Sequence, residues 1–285
     1  MLNTKQVVVI GLVVVLMTAL FSLDIKGLIS PEKQQNDGAR GGASKNMELS
    51  IVTLESVSVN AKQALSANLA HQITDLEDAL KDASSVDKLK LQKQLAQKWD
   101  DVNVPAPSAF YYELIANIDK TYASWLKAGD KFTNAYQNTQ DSLVQPALVQ
   151  KAIVAYQKAE VLQPNSLDAK IGMGVAYVSG TADPMKGILL LRDVVKEDPK
   201  NVKANMSLGL FSMKTGQYEK AVKRFEVVIS QTNQPEAWFY LASSYENMGM
   251  NENAIGAYIK TKELAADPGL GQFVDRKVKE LKKVD

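Results

Sequence analysis

Cysteine and histidine, two of the side chains that most often catalyse reactions or bind metals, are scarce in this sequence of 285 residues. It contains no cysteine, which excludes disulfides, thiolate nucleophiles and zinc sites built on cysteine. His71 is the one histidine, so no second imidazole can share a metal ion with it. Acid–base and metal sites need several converging groups. We therefore predict that His71 is a solvated helical residue and that the chain binds no metal.

Two other groups of residues resemble fragments of active sites. Asp75, Glu77 and Asp78 are close in the sequence, but on a helix they are typical of a solvated acidic face. The segment Gly172-Met173-Gly174 would indicate a nucleotide-binding loop only if it followed a strand and carried a third glycine. The sequence predicts a helix there instead. We predict that the protein is not an enzyme and needs no cofactor.

The charge balance argues against a nucleic-acid partner. Lys and Arg total 33, and Asp and Glu total 32, so the formal net charge is only +1. A nucleic-acid binder normally concentrates a basic excess on one face. The apolar fraction of 46% and the charged fraction of 23% are instead those of an ordinary globular protein.

Residues 1–26 are predicted to form an N-terminal transmembrane anchor or signal segment. Val7 to Leu23 is an uncharged run of 17 residues, and as a helix it would reach about 25 Å, the short end of what spans a bilayer. A cleaved signal peptide usually has a shorter apolar core, and no Ala-x-Ala site follows this run. These observations favour an uncleaved, single-pass anchor through residues 7–23.

The orientation of this segment depends on two opposing signals. Lys26, Lys33 and Arg40 follow the apolar run, and such cations favour a cytoplasmic body. A short flank before an apolar run is, however, the usual layout of an export signal. We favour export, which places the folded part outside the cytoplasm. Residues 27–46, rich in Gly, Gln, Asn and charge, are predicted to be a flexible linker.

Residues 47–87 are predicted to be helical, and the β-branched run 50–59 is equally compatible with an extended start. Leu65, Leu69, Ile73, Leu76 and Leu80 recur at spacings of four, four, three and four, which places them in one apolar stripe on a long helix. The stripe covers barely two heptads. It leaves two alternatives open: a coiled-coil homodimer, or a helix that packs on the rest of the same chain.

Residues 88–268 contain about five copies of one motif. The clearest copy consists of Trp238, Leu241, Ala242, Tyr245, Gly249, Ala254 and Tyr258. Earlier copies repeat the small residues at the positions of Ala242 (Gly129, Gly174 and Gly209) and of Ala254 (Ala152, Gly187 and Ala221). The motif resembles the tetratricopeptide repeat, whose pattern is W-x2-L-G-x2-Y, then A-x3-F, then Pro. The resemblance implies an all-α fold: a superhelical α-solenoid of helix-turn-helix units, whose small residues let paired helices approach closely.

The spacing of the motif supports this interpretation. Gly209 lies 33 residues before Ala242 and 35 residues after Gly174. Gly129 lies 45 residues before Gly174, which predicts an insertion around Thr139–Ala147. Pro164 and Pro199 are predicted to follow second helices, Pro235 to open a first helix, and Ser166 and Asn201 to cap helices. Residues 269–285 are predicted to form a C-terminal capping helix.

The family resemblance also implies where a partner binds. In such repeats the concave groove is lined by positions two, five, nine, twelve and thirteen of each first helix. The groove residues predicted here are Ile171, Val175, Val178, Lys203, Met206, Leu210, Met213, Lys214, Phe239 and Asn247. Methionines suit a surface that adapts to varied ligands, and the two lysines would orient an acidic partner. Alternatively, the 47–83 helix or the residues before Pro146 cover this surface.

One subclass of the family is excluded by the residues themselves. Repeats that clamp the carboxy-terminal carboxylate of chaperones use Lys and Asn at positions five and nine of the first helices. This chain has Leu126 and Asp130 in one unit, and Ile171 and Val175 in the next. We therefore predict a non-enzymatic scaffold that recruits another protein or peptide partner at a membrane. The alternative is a structural oligomeriser in which the 47–83 helix dimerises.

Overall fold

The computed structural model describes residues 52–283, and every regular element in that range is an α-helix. The thirteen helices are α1 (Leu54–Lys62), α2 (Ala67–Lys81), α3 (Ser85–Asp101), α4 (Pro105–Asp119), α5 (Tyr122–Asn138), α6 (Gln145–Leu162), α7 (Leu167–Gly180), α8 (Pro184–Glu197), α9 (Val202–Lys214), α10 (Tyr218–Gln231), α11 (Pro235–Asn247), α12 (Asn251–Leu264) and α13 (Pro268–Leu281). The predicted membrane segment (1–26) and linker (27–46) lie outside the described residues. Within 52–283, no helix combines the length and apolar character needed to cross a membrane.

The helix ends follow the local sequence signals. Ser166 accepts a hydrogen bond from the backbone N–H of Ala169 at 3.3 Å and caps α7. Asn201 caps α9 in the same way through the N–H of Ala204 at 3.0 Å. Pro235 opens α11, where its missing N–H leaves no hydrogen bond unmade. These predicted caps and starts are confirmed.

Five consecutive helix pairs form the solenoid: α3/α4, α5/α6, α7/α8, α9/α10 and α11/α12. The two helices of each pair pack together, and the first helices of neighbouring pairs also touch, from α5 to α7, α9 and α11. The core consists of adjoining clusters along the array rather than one centre. This is the arrangement expected when each unit buries its apolar face only against its neighbours.

Close approach within a pair depends on small residues, as the motif predicts. A Cβ added to Gly209 would lie 2.6 Å from the Phe225 ring of the paired helix. A Cβ at Gly174 would lie 2.7 Å from Leu191, again on the paired helix. Real Cβ contacts are not this short, so a larger side chain at either position would separate the helices.

The second pair contains the predicted extra residues, but they are not confined to Thr139–Ala147. The turn inside the second pair spans residues 139–144, three longer than the turns inside the next three pairs. Most of the extra length is helical: α5 and α6 have 17 and 18 residues, whereas α7 and α8 have 14 each. Repeat spacing alone cannot distinguish a longer turn from longer helices, because both displace the next glycine equally.

The single long helix predicted before the repeats is wrong, because the chain breaks between α1 and α2. Ser66 adopts an extended conformation and caps α2 by accepting from the N–H of Leu69. The apolar stripe nevertheless packs within the chain. Ile73 is fully buried in a cluster with Leu95 and Trp99 of α3. Of the two alternatives for this stripe, the structure shows packing on the same chain.

A polar cluster fastens α1 and α2 to the first helix pair. Glu77 of α2 accepts hydrogen bonds from Ser58 of α1 at 2.5 Å and from Tyr111 of α4 at 3.3 Å. Lys62 of α1 forms an ion pair with the same carboxylate at 2.5 Å. Burial and the adjacent Glu77 charge raise the pKa of Tyr111, which keeps its hydroxyl a donor at neutral pH. The segment predicted as 47–87 is therefore joined to the solenoid through both apolar and polar contacts.

At the other end, α13 covers the last helix pair. Val274 and Leu281 are buried against the cluster that includes Ala254 and Tyr258 of α12, and Phe273 and Val278 are partly buried there. The cationic face of α13 stays in solvent. Lys277 also reaches back to Glu246 of α11 at 2.8 Å. The helix begins at Pro268, one residue before the predicted boundary.

Candidate functional site

An open cleft of about 400 Å³ crosses the first helices of the second, third and fourth pairs. Its lining residues are Leu126, Asp130, Thr133, Tyr156, Asp168, Ile171, Gly172, Val175, Val202, Lys203, Met206, Ser207 and Gln234. They belong to α5, α6, α7, α9 and the residue that caps α11. Apolar and polar groups contribute about equally to the lining, with carboxylate, hydroxyl and ammonium groups beside Leu126, Val175 and Met206. A concave surface that combines apolar side chains with converging polar groups is a candidate ligand site.

The cleft brings together four of the ten predicted groove residues: Ile171, Val175, Lys203 and Met206. Ile171 is 5% exposed and mainly supports the floor. Val175 and Met206 are partly buried and offer apolar surface to the opening. These residues come from positions two, five and nine of the first helices, so the family register identifies part of the lining.

The other six predicted residues, Val178, Leu210, Met213, Lys214, Phe239 and Asn247, do not line this cleft. Met213 and Phe239 pack against the C-terminal core, where the Phe239 ring lies 5.9 Å from the rings of both Tyr258 and Phe273. Leu210, Lys214 and Asn247 are exposed beyond the cleft. The aromatic side chains of the last pair and of α13 occupy space that the repeat pattern would leave open.

Nine of the thirteen lining residues were not in the predicted set, and Tyr156 is the one among them that comes from a second helix. Its ring is 2% exposed and passes between α5 and α7. It fits because Gly129 and Gly172 carry no side chain: a Cβ at Gly129 would lie 2.6 Å from the ring, and one at Gly172 would overlap it. Gly172 lies outside the repeat pattern, and this additional glycine was the available signal in the sequence.

Tyr156 places a polar group at the floor of the cleft. Its hydroxyl donates to Asp130 Oδ1 at 2.9 Å, and Thr133 Oγ1 lies 3.0 Å from the same hydroxyl oxygen. Burial and the Asp130 charge raise the pKa of Tyr156, so the hydroxyl stays protonated. Desolvation raises the pKa of the Asp130 carboxyl, and the Tyr156 hydrogen bond and Lys203 partly oppose this shift. The ionised form of Asp130 accepts this hydrogen bond, and its carboxylate faces the cleft.

A second carboxylate stands on the next unit. Asp168 Oδ1 lies 3.9 Å from Lys203 Nζ, with the two side chains 60% and 76% exposed. A pair this exposed and this long is worth little, since water and salt screen it. Both side chains are therefore available to an incoming ligand.

Helices α1 and α2 leave this cleft uncovered. No residue of α1 or α2 is among its lining, because those helices pack on α3 and α4 instead. The turn before Pro146 contributes no lining residue either. Of the alternatives for the groove, the described residues thus show it open at this cleft.

Residues 236–265 match the family model described as tetratricopeptide repeat. The match covers α11 from its second residue and all of α12, which is the helix pair with the clearest motif. The protein therefore carries a tetratricopeptide repeat in the last of its five helix pairs. Its described part is an all-α solenoid of the kind that such repeats build.

Several solved structures are similar to part of this chain. A crystal structure of MamA protein is 20% identical over 62% of this chain and 91% of that one, with a TM-score of 0.45. MamA residues 41-end from Desulfovibrio magneticus RS-1 are 19% identical over 62% and 95%, also at 0.45. YrrB, described as a TPR protein with an unusual peptide-binding site, is 15% identical over 70% and 97%, at 0.43. No curated protein matches the sequence significantly.

Proposed function

We propose that this protein is a non-enzymatic adaptor whose repeat groove binds a segment of a partner protein. The open cleft across α5, α7 and α9 is the observation that carries the proposal. Val175 and Met206 offer apolar surface in this cleft that a bound partner would bury. YrrB, a repeat protein of similar arrangement, is described as having a peptide-binding site, which agrees with a peptide ligand here.

We further propose that the adaptor works at a membrane, with residues 7–23 as a single-pass anchor and the repeats outside the cytoplasm. The support is the uncharged run of 17 residues and the linker-like composition of residues 27–46. A tether of about 20 residues would let the repeats move some 25 Å from the bilayer surface. A membrane-bound partner could then be reached without a fixed orientation.

Val175→Gln should weaken partner binding about tenfold, or about 1.4 kcal/mol. The long neutral amide would obstruct the cleft floor and remove two methyl groups of apolar contact, without changing the charge of the site. The measurement is retention of partners from a membrane extract by the full-length protein in detergent micelles, followed by titration of the purified partner. Val161→Gln, at a position on α6 that is 80% exposed and outside the cleft, is the matched control. Equal partner binding by both variants would mean that the cleft is not the binding site.

Protease treatment of sealed vesicles tests the membrane proposal. The vesicles are prepared from cells that express the full-length protein. The repeats should resist protease added to the cytoplasmic side of the membrane and should be digested once the opposite side is exposed. The protein should also stay in the membrane fraction after the membranes are washed with carbonate at high pH. Digestion from the cytoplasmic side would reverse the proposed orientation, and release by the wash would exclude an integral anchor.

A further inference from the structure

Asp130 is a carboxylate in the cleft that has no cationic partner among the described residues. Its Oδ1 accepts from Tyr156, and no Lys or Arg nitrogen among residues 52–283 lies within ion-pair distance of it. The side chain is accessible from the opening. Two other carboxylates that face neighbouring helices do have such partners, Asp100 with Lys131 and Glu113 with Lys151, whereas Glu226, which accepts from Tyr245, has none in the same range.

The surroundings of Asp130 favour the arrival of a positive charge. Desolvation, with a smaller effect of Asp168, raises the pKa of its carboxyl above the ordinary value. Tyr156, Lys203 and Lys127 lower that pKa without cancelling the shift. The carboxylate is thus less well solvated than it would be in water. A cation placed against it would restore that lost interaction, and charge-assisted hydrogen bonds are the stronger kind.

The other charges of the cleft do not reverse this preference. The lining holds two carboxylates, Asp130 and Asp168, and one ammonium group, Lys203. Lys203 already faces Asp168 at 3.9 Å. The sequence alone suggested that Lys203 would orient an acidic partner. In the folded chain, its nearest carboxylate is in the same groove, and the uncompensated charge is negative.

The dimensions of the cleft suit a short extended segment. It crosses α5, α7 and α9, and neighbouring helices pack about 8–10 Å apart, so the crossing is about 20 Å. An extended chain of about six residues covers that distance. Val175 and Met206 would contact apolar side chains of such a segment, while Asp130 lies at one side of the same floor.

We infer that the groove selects an extended segment of about six residues that carries a lysine or arginine opposite Asp130 and apolar side chains beside it. This inference rests on the proposed function and specifies the chemistry of the partner. The lysine or arginine donates to the free lone pairs of Asp130, whose orientation is fixed by the Tyr156 hydroxyl. Asp168 lies in the same cleft, where Lys203 offsets its charge in part, so the lining carries one more carboxylate than ammonium groups.

The test uses an array of capped hexapeptides in which each position is varied over all residue types. The probe is the full-length protein in detergent micelles. Wild type should retain peptides with Lys or Arg over matched peptides with Gln, and Asp130→Asn should reduce that preference about tenfold. Asn keeps an oxygen that can accept from Tyr156. Asp193→Asn makes the same charge change at an exposed site of α8 outside the cleft and should keep the preference.

The outcomes separate this inference from the adaptor function. Selection of acidic or purely apolar peptides, still weakened by Val175→Gln, would overturn the basic-segment inference and leave the groove as the binding site. Binding that neither variant alters, or no binding by wild type, would overturn both. If Asp130→Asn fails to fold, the exposed Asp168→Asn provides the second test: it should reduce the preference for basic peptides about threefold, and an unchanged preference would contradict the inference.

Discussion

Tyr156→Ala is expected to destabilise the folded protein by about 3–5 kcal/mol, the range for removing a large buried aromatic side chain. The ring is 2% exposed and fills the space between α5 and α7 that Gly129 and Gly172 leave for it. Both helices are packed against their own paired helices. The cavity left by Tyr156→Ala could therefore close only if whole units shifted. The loss should therefore be near the upper part of the range.

Tyr156→Phe separates the ring from the hydroxyl. It keeps the packing and removes the hydrogen bond to Asp130, so we expect a loss of about 1–1.5 kcal/mol. Urea unfolding followed by far-UV circular dichroism measures both variants. A loss for Tyr156→Ala no larger than that for Tyr156→Phe would mean that the ring does not fill this space. The position of the cleft floor would then be wrong as well.

Gly187→Ala is expected to lower stability by about 2 kcal/mol, although it adds a single methyl group in a helix. That methyl group would overlap the carbonyl oxygen of Gly174 and lie 2.8 Å from Cβ of Tyr177. Backbone atoms cannot rotate out of the way as the end of a side chain can. The two helices of the third pair would have to separate, and the contacts along both would weaken.

Gly256→Ala is the matched control, since it adds the same group at a helical glycine of α12 where nothing lies within 4 Å. Alanine loses less backbone entropy than glycine on folding, so this variant should be more stable by about 0.5–1 kcal/mol. A lower melting temperature for Gly187→Ala and a higher one for Gly256→Ala would support the close approach of α7 and α8. A gain in both would show that the helices are not in contact at Gly187.

The position of the cleft in the array has a consequence for the adaptor. It lies across the middle pairs, whereas α1 and α2 cover one end and α13 covers the other. Each unit of a solenoid is stabilised by its neighbours, so middle units are the most firmly held. A binding surface there is preorganised, and less conformational entropy is lost when a partner is bound.

Much of the repeat architecture was predictable from the sequence. Glycine and alanine at fixed spacing mark the helix contacts, and Ser166, Asn201 and Pro235 mark the helix starts. These signals are local: a cap or a close helix contact depends on residues within one unit. The composition of residues 7–23 likewise predicts a membrane segment from the sequence alone.

The cleft was only partly predictable, because side chains that are far apart in the sequence determine which residues line it. The repeat register predicted Val175 and Met206, which line the cleft. It also predicted Phe239, which instead packs against the core beside the aromatic rings of α12 and α13. It did not identify Tyr156, which reaches the groove from a second helix.

Sequence by itself determined that paired helices repeat along this chain, since small and large residues at fixed spacing permit one close packing within each unit. Tertiary structure decided which surface remains open. The stripe from Leu65 to Leu80 could pack on another chain or on this one, and it packs on Leu95 and Trp99. Asp130 accepts from Tyr156, and Lys203 lies near Asp168, only because folding brings residues of four helices together. Burial and charge pairing are sums over neighbours from several units, and no single segment contains that information.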